Sequence, residues 1–161
     1  MKSIINISDI EQQASPSPVP DNLKDKYEGA TMGFIGSQIG AQKLGYNITV
    51  VPSGKRAFPF HNHYANEEMF FILEGEGEVR MGTEQHPIKK GDFIASPAGT
   101  GVEHAHQIIN TSDAELKYLA VSTKISPELA EYPDSGKFGV LAENFRFVGN
   151  AKDSLDYWEG N

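Results

Sequence analysis

The sequence contains no cysteine. Disulfides and thiolate-bound metals are therefore excluded, and any metal site must be built from histidine and carboxylate side chains. No apolar run approaches the ~18 to 20 residues needed to span a bilayer. The opening stretch, MKSIINISDIEQQ, carries one lysine and soon turns acidic and polar. It lacks the basic n-region, long apolar h-region and small-residue cleavage site of a secretory leader, so a cytoplasmic location is expected. Basic clusters are also missing. The formal net charge is −8, and the lysines and arginines gather only in pairs such as Lys55-Arg56 and Lys89-Lys90. A nucleic-acid or anionic-membrane partner needs a basic footprint, so neither is expected. Acidity of this kind mainly favours solubility.

What is present suits one domain with its own core: 161 residues, 39% hydrophobic and 10% aromatic. Residues 1–30 contain SPSPVPDN, whose prolines and turn formers predict an extended arm, laid along the barrel or a partner subunit or left without fixed structure. Residues 31–125 hold a series of short runs, among them YNITVV, EEMFFILEG, EGEVRMG, HPIKKGDFIASPAG, HAHQIINTS and ELKYLAVST. Gly, Pro, Asn or Asp punctuates them, and no long helical period intervenes. The pattern predicts an all-β antiparallel sandwich or barrel. Residues 126–161 read as a C-terminal extension. Ser126 as N-cap, Pro127 at the first helical position and Glu128 in the first turn predict a short helix in SPELAEY. YPDSGKFG predicts turns. Tyr157 and Trp158, costly to expose, are expected to pack on the barrel or at a dimer interface.

Two of the five histidines sit one residue apart in HNHYANEE, residues 61–68. Side chains alternate faces on a strand, so His61 and His63 point the same way and both reach one cation. A turn at YANE resets the register. Glu68, Phe70 and Ile72 then share one face, and Glu67 falls on the other, where it is expected to be solvated. Further on, GDFIASPAGTGVEHAHQIIN carries His104 and His106 alternating onto one strand face, and either one completes a set of three histidines and one glutamate. Imidazoles with a single carboxylate favour a divalent transition metal (Zn, Mn, Fe, Ni or Co) over Ca or Mg.

Gly54, His61, His63, Glu68 and Gly75 resemble the first motif of the cupins, a Gly followed by His-X-His, a Glu and a second Gly. Six residues precede His61 where the family has five. Gly91, Pro97 and Gly99 fit the second motif. Val102 stands where that motif has its histidine, but counting back from Asn110 gives His106 the spacing H-(X)3-N, with four residues inserted before it. The resemblance implies a double-stranded β-helix, or jelly-roll, barrel with His61, His63, Glu68 and His106 as metal ligands. His104 is the alternative fourth ligand or a residue at the mouth. Through these motifs the resemblance covers about residues 45–123; more loosely, the tail with EYPDSGK and DYWEG resembles small bacterial single-domain cupins, some of them sugar-phosphate isomerase-like, which implies a homodimer.

Three histidines and one glutamate leave coordination positions open on an octahedral ion, as catalytic metals require. The expected function is metal-dependent chemistry on a small polar metabolite, with a sugar-phosphate isomerase-like reaction first. An Fe- or Mn-dependent dioxygenase and a non-catalytic small-molecule sensor are the alternatives. Arg56, Tyr64, Phe70, Arg80, His104 and Tyr118 are the candidate substrate contacts. Arg56 would suit a phosphate or carboxylate. No general base is identifiable from the sequence.

Overall fold

The computed structural model describes residues 3–15 and 18–160. Thirteen strands appear among them: β1 (Gln13–Ala14), β2 (Thr31–Phe34), β3 (Leu44–Val51), β4 (Asn62–His63), β5 (Glu68–Glu74), β6 (Glu76–Met81), β7 (Glu84–Lys89), β8 (Phe93–Ser96), β9 (His106–Ile109), β10 (Leu116–Thr123), β11 (Glu128–Tyr132), β12 (Lys137–Ala142) and β13 (Phe145–Asn150). The one α-helical turn, α1 (Lys24–Tyr27), precedes β2. Among the described residues no helix is long and apolar enough to cross a membrane.

The strands form two facing layers. The first is a six-stranded sheet in the order β1-β2-β3-β10-β5-β8. The second contains β7-β6-β9 and β13-β12-β11-β4. These two groups meet where His61 and His106 exchange both backbone hydrogen bonds, His61 N–H to His106 C=O at 3.2 Å and the reverse at 2.8 Å. Inward residues of both layers make the core: Val51, Phe70, Ile72, Ile94, Leu116 and Tyr118 from the first, Val79, Ile88 and Ile108 from the second. Alternation explains why these positions are apolar, since one face of each strand is buried and the other is not. This is the double-stranded β-helix anticipated above.

The arm before β2 lies along the barrel. β1 pairs with β2, Ile10 is buried against Gly33, and Arg56 N–H donates to the Lys26 carbonyl.

The C-terminal segment departs from the expectation. SPELAEY is not helical: residues 128–132 are strand β11, bonded to β4 on one side and β12 on the other. The turns expected in YPDSGKFG are present at residues 133–136, where they join β11 to β12, but residues 137–139 belong to β12, which pairs with β13 in a further hairpin. Local capping signals lost because β4 presents an unpaired edge, and because LAEY alternates inward and outward residues that fit it. Tyr157 and Trp158 pack edge-to-face on each other, their centroids 4.8 Å apart. They remain 82% and 75% exposed rather than seated on the barrel.

Candidate metal centre

The first layer delivers Glu68 and the second delivers the histidines. Glu68 opens β5 on the same inward face as buried Phe70 and Ile72. Glu67 faces out and is exposed. His61 and His63 flank Asn62, whose side chain turns the other way to bond the Gly101 carbonyl and Glu131. His106 opens β9, opposite His61.

The Nε2 atoms of His106 and His63 lie 3.1 and 3.5 Å from Glu68 Oε2. The donor atoms of His61, Glu68 and His106 all fall within 4.8 Å of one another, close enough to hold a metal ion. The outer nitrogens are also engaged. His61 Nδ1 donates to the Pro59 carbonyl at 2.8 Å. His106 Nδ1 lies 2.7 Å from the Ser96 hydroxyl, on the residue that pairs with Glu68 across the sheet. Holding Nδ1 in this way fixes the ring and leaves Nε2 to face the cluster. His63 Nδ1 is buried without a hydrogen-bond partner among the described residues, 3.7 Å from Glu128 Oε2.

Electrostatics favour the form a metal needs at His61, a neutral imidazole, and at Glu68, a charged carboxylate. Burial, reinforced by the neighbouring His106 and His63, pushes His61 down to about 4, against the pull of Glu68. Burial opposes the charge on Glu68. The His106 hydrogen bond and the three imidazoles outweigh it and hold the carboxyl below its ordinary range. The site is shielded but not sealed: Glu68 and His63 side chains are 18% and 19% exposed, and His106 is 3% exposed.

The remaining candidate residues sort by position. Phe70 packs under His106 with centroids 5.2 Å apart, and Tyr118 meets Phe70 edge-on at 5.8 Å. Both belong to the buried floor. Burial and the charge of Glu68 push the Tyr118 phenol up. Tyr64 lies with Asn62 on the side away from the donors and hydrogen-bonds Glu131, which pushes the phenol up; the Asn62 amide and then Tyr64 hold the Glu131 carboxyl down.

His104 does not alternate with His106 on a strand. It ends a 3-10 turn, Val102–His104. Its ring fills the space a Cβ on Gly99 would need, 2.4 Å from that position. The inserted residues fold into this turn because Gly101 enters it at φ 85°, a left-handed conformation that glycine adopts freely. Arg56 and Arg80 face away from the cluster. Arg80 pairs with Gln107, one step out of phase with the Met81–His106 pair. It stacks on Phe60 at 3.6 Å and bonds both Asp134 oxygens at 3.0 and 2.9 Å. Arg56 bridges to Ile109, on the same outer side as Gln107.

Sequence reading missed three tail residues. Glu128, Ala130 and Tyr132 share the inward face of β11. Ala130 pairs with His63, and the Tyr132 ring stacks on His61 at 6.0 Å and 19°. Burial pushes the Tyr132 phenol up, against the nearby Arg146 charge from β13. The alternation of ELAEY was the available signal, masked by the Ser-Pro-Glu that precedes it.

Residues 47–122 match a family model described as "Cupin domain". The chain is 38% identical over 73 residues to an uncharacterized protein of Methanocaldococcus jannaschii, covering 45% of this chain and 54% of that one. It is 36% identical over 61 residues to an oxalate-binding protein of Thermotoga maritima, covering 38% and 47%. The chain thus spans about half the length of these curated relatives. Among solved structures, a cupin-superfamily sugar phosphate isomerase from Silicibacter pomeroyi superposes with a TM-score of 0.83 at 24% identity, over 96% of this chain and 97% of that one.

Proposed function

The chain belongs to the cupins through residues 47–122, and from that premise we propose that it is a divalent-metal enzyme acting on a small polar metabolite, with His61, His63, Glu68 and His106 as ligands. The observation that carries this reading is the convergence of three imidazole nitrogens on one carboxylate, with two of the three outer nitrogens already committed to hydrogen bonds. Zn, Mn, Fe, Ni and Co all suit such a donor set. A bound ion supplies a Lewis acid that polarises a carbonyl or hydroxyl oxygen.

The protein's own residues give the rest. Phe70 and Tyr118 exclude water from the inner side of the cluster. Tyr132 walls the face of His61. Tyr64 and Glu131 lie with the Asn62 side chain on the side of the strands away from the donors, so neither serves as the acid or base in this reading. For an anionic substrate the supporting cation is Arg146, close enough to act on the Tyr132 phenol, rather than Arg56 or Arg80.

The sugar-phosphate isomerase-like reaction takes its substrate class from the fold likeness to the Silicibacter pomeroyi protein, an analogy of architecture rather than of chemistry. The assembly proposed is a homodimer. Elemental analysis of untagged protein, followed by an aldose–ketose interconversion screen across sugar phosphates, tests the reading. Stoichiometric transition metal with interconversion supports it. Metal uptake with ligand-induced thermal shifts but no turnover would replace it with a binding module. Oxygen uptake would replace it with an oxygenase.

A further inference from the structure

Glu128 is a buried carboxylate that neither cupin motif accounts for. Only 4% of it is exposed. Its Oε1 accepts the backbone N–H groups of Tyr64, Ala65 and Leu129 at 3.0, 3.1 and 2.9 Å. Its Oε2 accepts the Asn66 N–H at 2.8 Å and is also bonded by the Asn66 side-chain amide. Four backbone dipoles and an amide thus stabilise the negative charge in a place where a bare carboxylate would be costly.

Two consequences follow for the cluster. The segment held by Glu128, residues 64–66, is the connection between His63 and Glu68, so the carboxylate sets how those two side chains are spaced. The same Oε2 also lies 3.7 Å from His63 Nδ1, the one outer imidazole nitrogen of the cluster left without a partner. That distance is about half an ångström beyond a hydrogen bond, within the reach of a small ring rotation.

We propose that Glu128 is a positioning residue for His63: it draws the proton to Nδ1, turns the ring, and leaves the Nε2 lone pair facing Glu68. This rests on the metal-site reading above. Glu128 does for His63 what the Pro59 carbonyl does for His61 and Ser96 does for His106. It differs in being charged and in coming from the C-terminal hairpin, so that hairpin becomes a contributor to metal affinity.

The experiment measures Co(II) and Zn(II) affinity by chelator competition for the full chain, Glu128→Gln, His63→Ala and the double variant. It also records long-range 1H–15N correlations of the metal-free wild type. Glu128→Gln is expected to weaken metal binding about 10- to 100-fold in the wild-type background. In the His63→Ala background it should change affinity by no more than about threefold. The wild-type His63 spectrum should show the Nδ1–H tautomer. Equal losses in both backgrounds, unchanged affinity in Glu128→Gln, or an Nε2–H tautomer would overturn the assignment. If Glu128→Gln fails to fold, the wild-type tautomer decides alone. Wild-type protein that takes up neither ion sinks the metal reading, while the tautomer still judges the Glu128–His63 pair.

Discussion

His61, His63, Glu68 and His106 reach the candidate centre from strands whose spacing is visible in the chain. Glu128, Ala130 and Tyr132 reach it from a strand that local signals disguise as a helix start. In the first group His61, Glu68 and His106 bring donor atoms within 4.8 Å of one another, and His63 Nε2 lies 3.5 Å from Glu68. The second touches the backs and faces of the same imidazoles without offering an atom to that cluster. On the proposed metal reading, one region carries the chemistry and the other its orientation. Side chains chosen for chemistry leave a motif, whereas side chains chosen for support depend on which strand edge the fold leaves open.

Substitution should separate the two regions. The largest effect belongs to the donors. Replacing His61 and His63 together by alanine should abolish stoichiometric metal, read by elemental analysis, while far-UV circular dichroism stays that of a β protein. Retention of wild-type metal content would remove the site assignment. Next comes Glu128→Ala, which removes the buried carboxylate that accepts from the Tyr64, Ala65, Asn66 and Leu129 N–H groups, of which, among the described residues, Tyr64 alone keeps a second acceptor, the Leu129 carbonyl. A loss of about 3 kcal/mol or more is expected from denaturant unfolding of metal-free protein. A loss below about 1 kcal/mol would mean water replaces the carboxylate cheaply.

Acidification gives an intermediate effect. Metal-free His61 takes its proton near pH 4 when folded and near 6.5 when unfolded, so the unfolded chain binds more protons between those values. Stability must therefore fall as pH drops from 6.5 toward 4. Glu68, also shifted down when folded, adds to the decline as pH falls through its unfolded value near 4.5. Thermal midpoints from pH 7 to 4 should fall, with a shallower slope in His61→Ala. An identical slope would deny His61 its part.

Tyr132→Ala should be milder still. Loss of the ring against His61 removes about 0.5 to 1.5 kcal/mol of aromatic contact and should change metal affinity little, while weakening any ligand that contacts the mouth. The smallest effect is expected for Arg80→Ala. Its ion pair with Asp134 is partly exposed and its contact with Phe60 lies on the outer face, so about 1 kcal/mol or less is expected.

The legible part of the molecule was where a side chain's role and its local geometry coincide. Alternation along 68–72 placed Glu68 inward and Glu67 in solvent, and His-X-His put both rings on one face. These are local facts of a pleated chain. His104 was misread because its position depends on a glycine entering a turn at Gly101, and a run of alternating residues gives no sign of it. Arg56 and Arg80 were candidate substrate contacts. Which side of the sheet they occupy depends on pairing with Ile109 and Gln107, strands more than twenty residues away. SPELAEY failed for the same reason in a stronger form, since the edge of β4 that converts it to a strand lies some sixty residues upstream.

The turn that holds His104 also has a use beyond explaining the spacing. It leaves the barrel at Gly99, whose N–H is fixed to the His63 carbonyl at 2.8 Å, and returns at His106, locked to His61 by two backbone bonds. Both ends are anchored to the same short piece of chain. Between them Gly101 is tied as well: its carbonyl accepts from the Asn62 amide and its N–H donates to Glu131. The turn is therefore a brace stitched at three points to the segment that carries His61 and His63, and sequence inserted within it would pull on the donors.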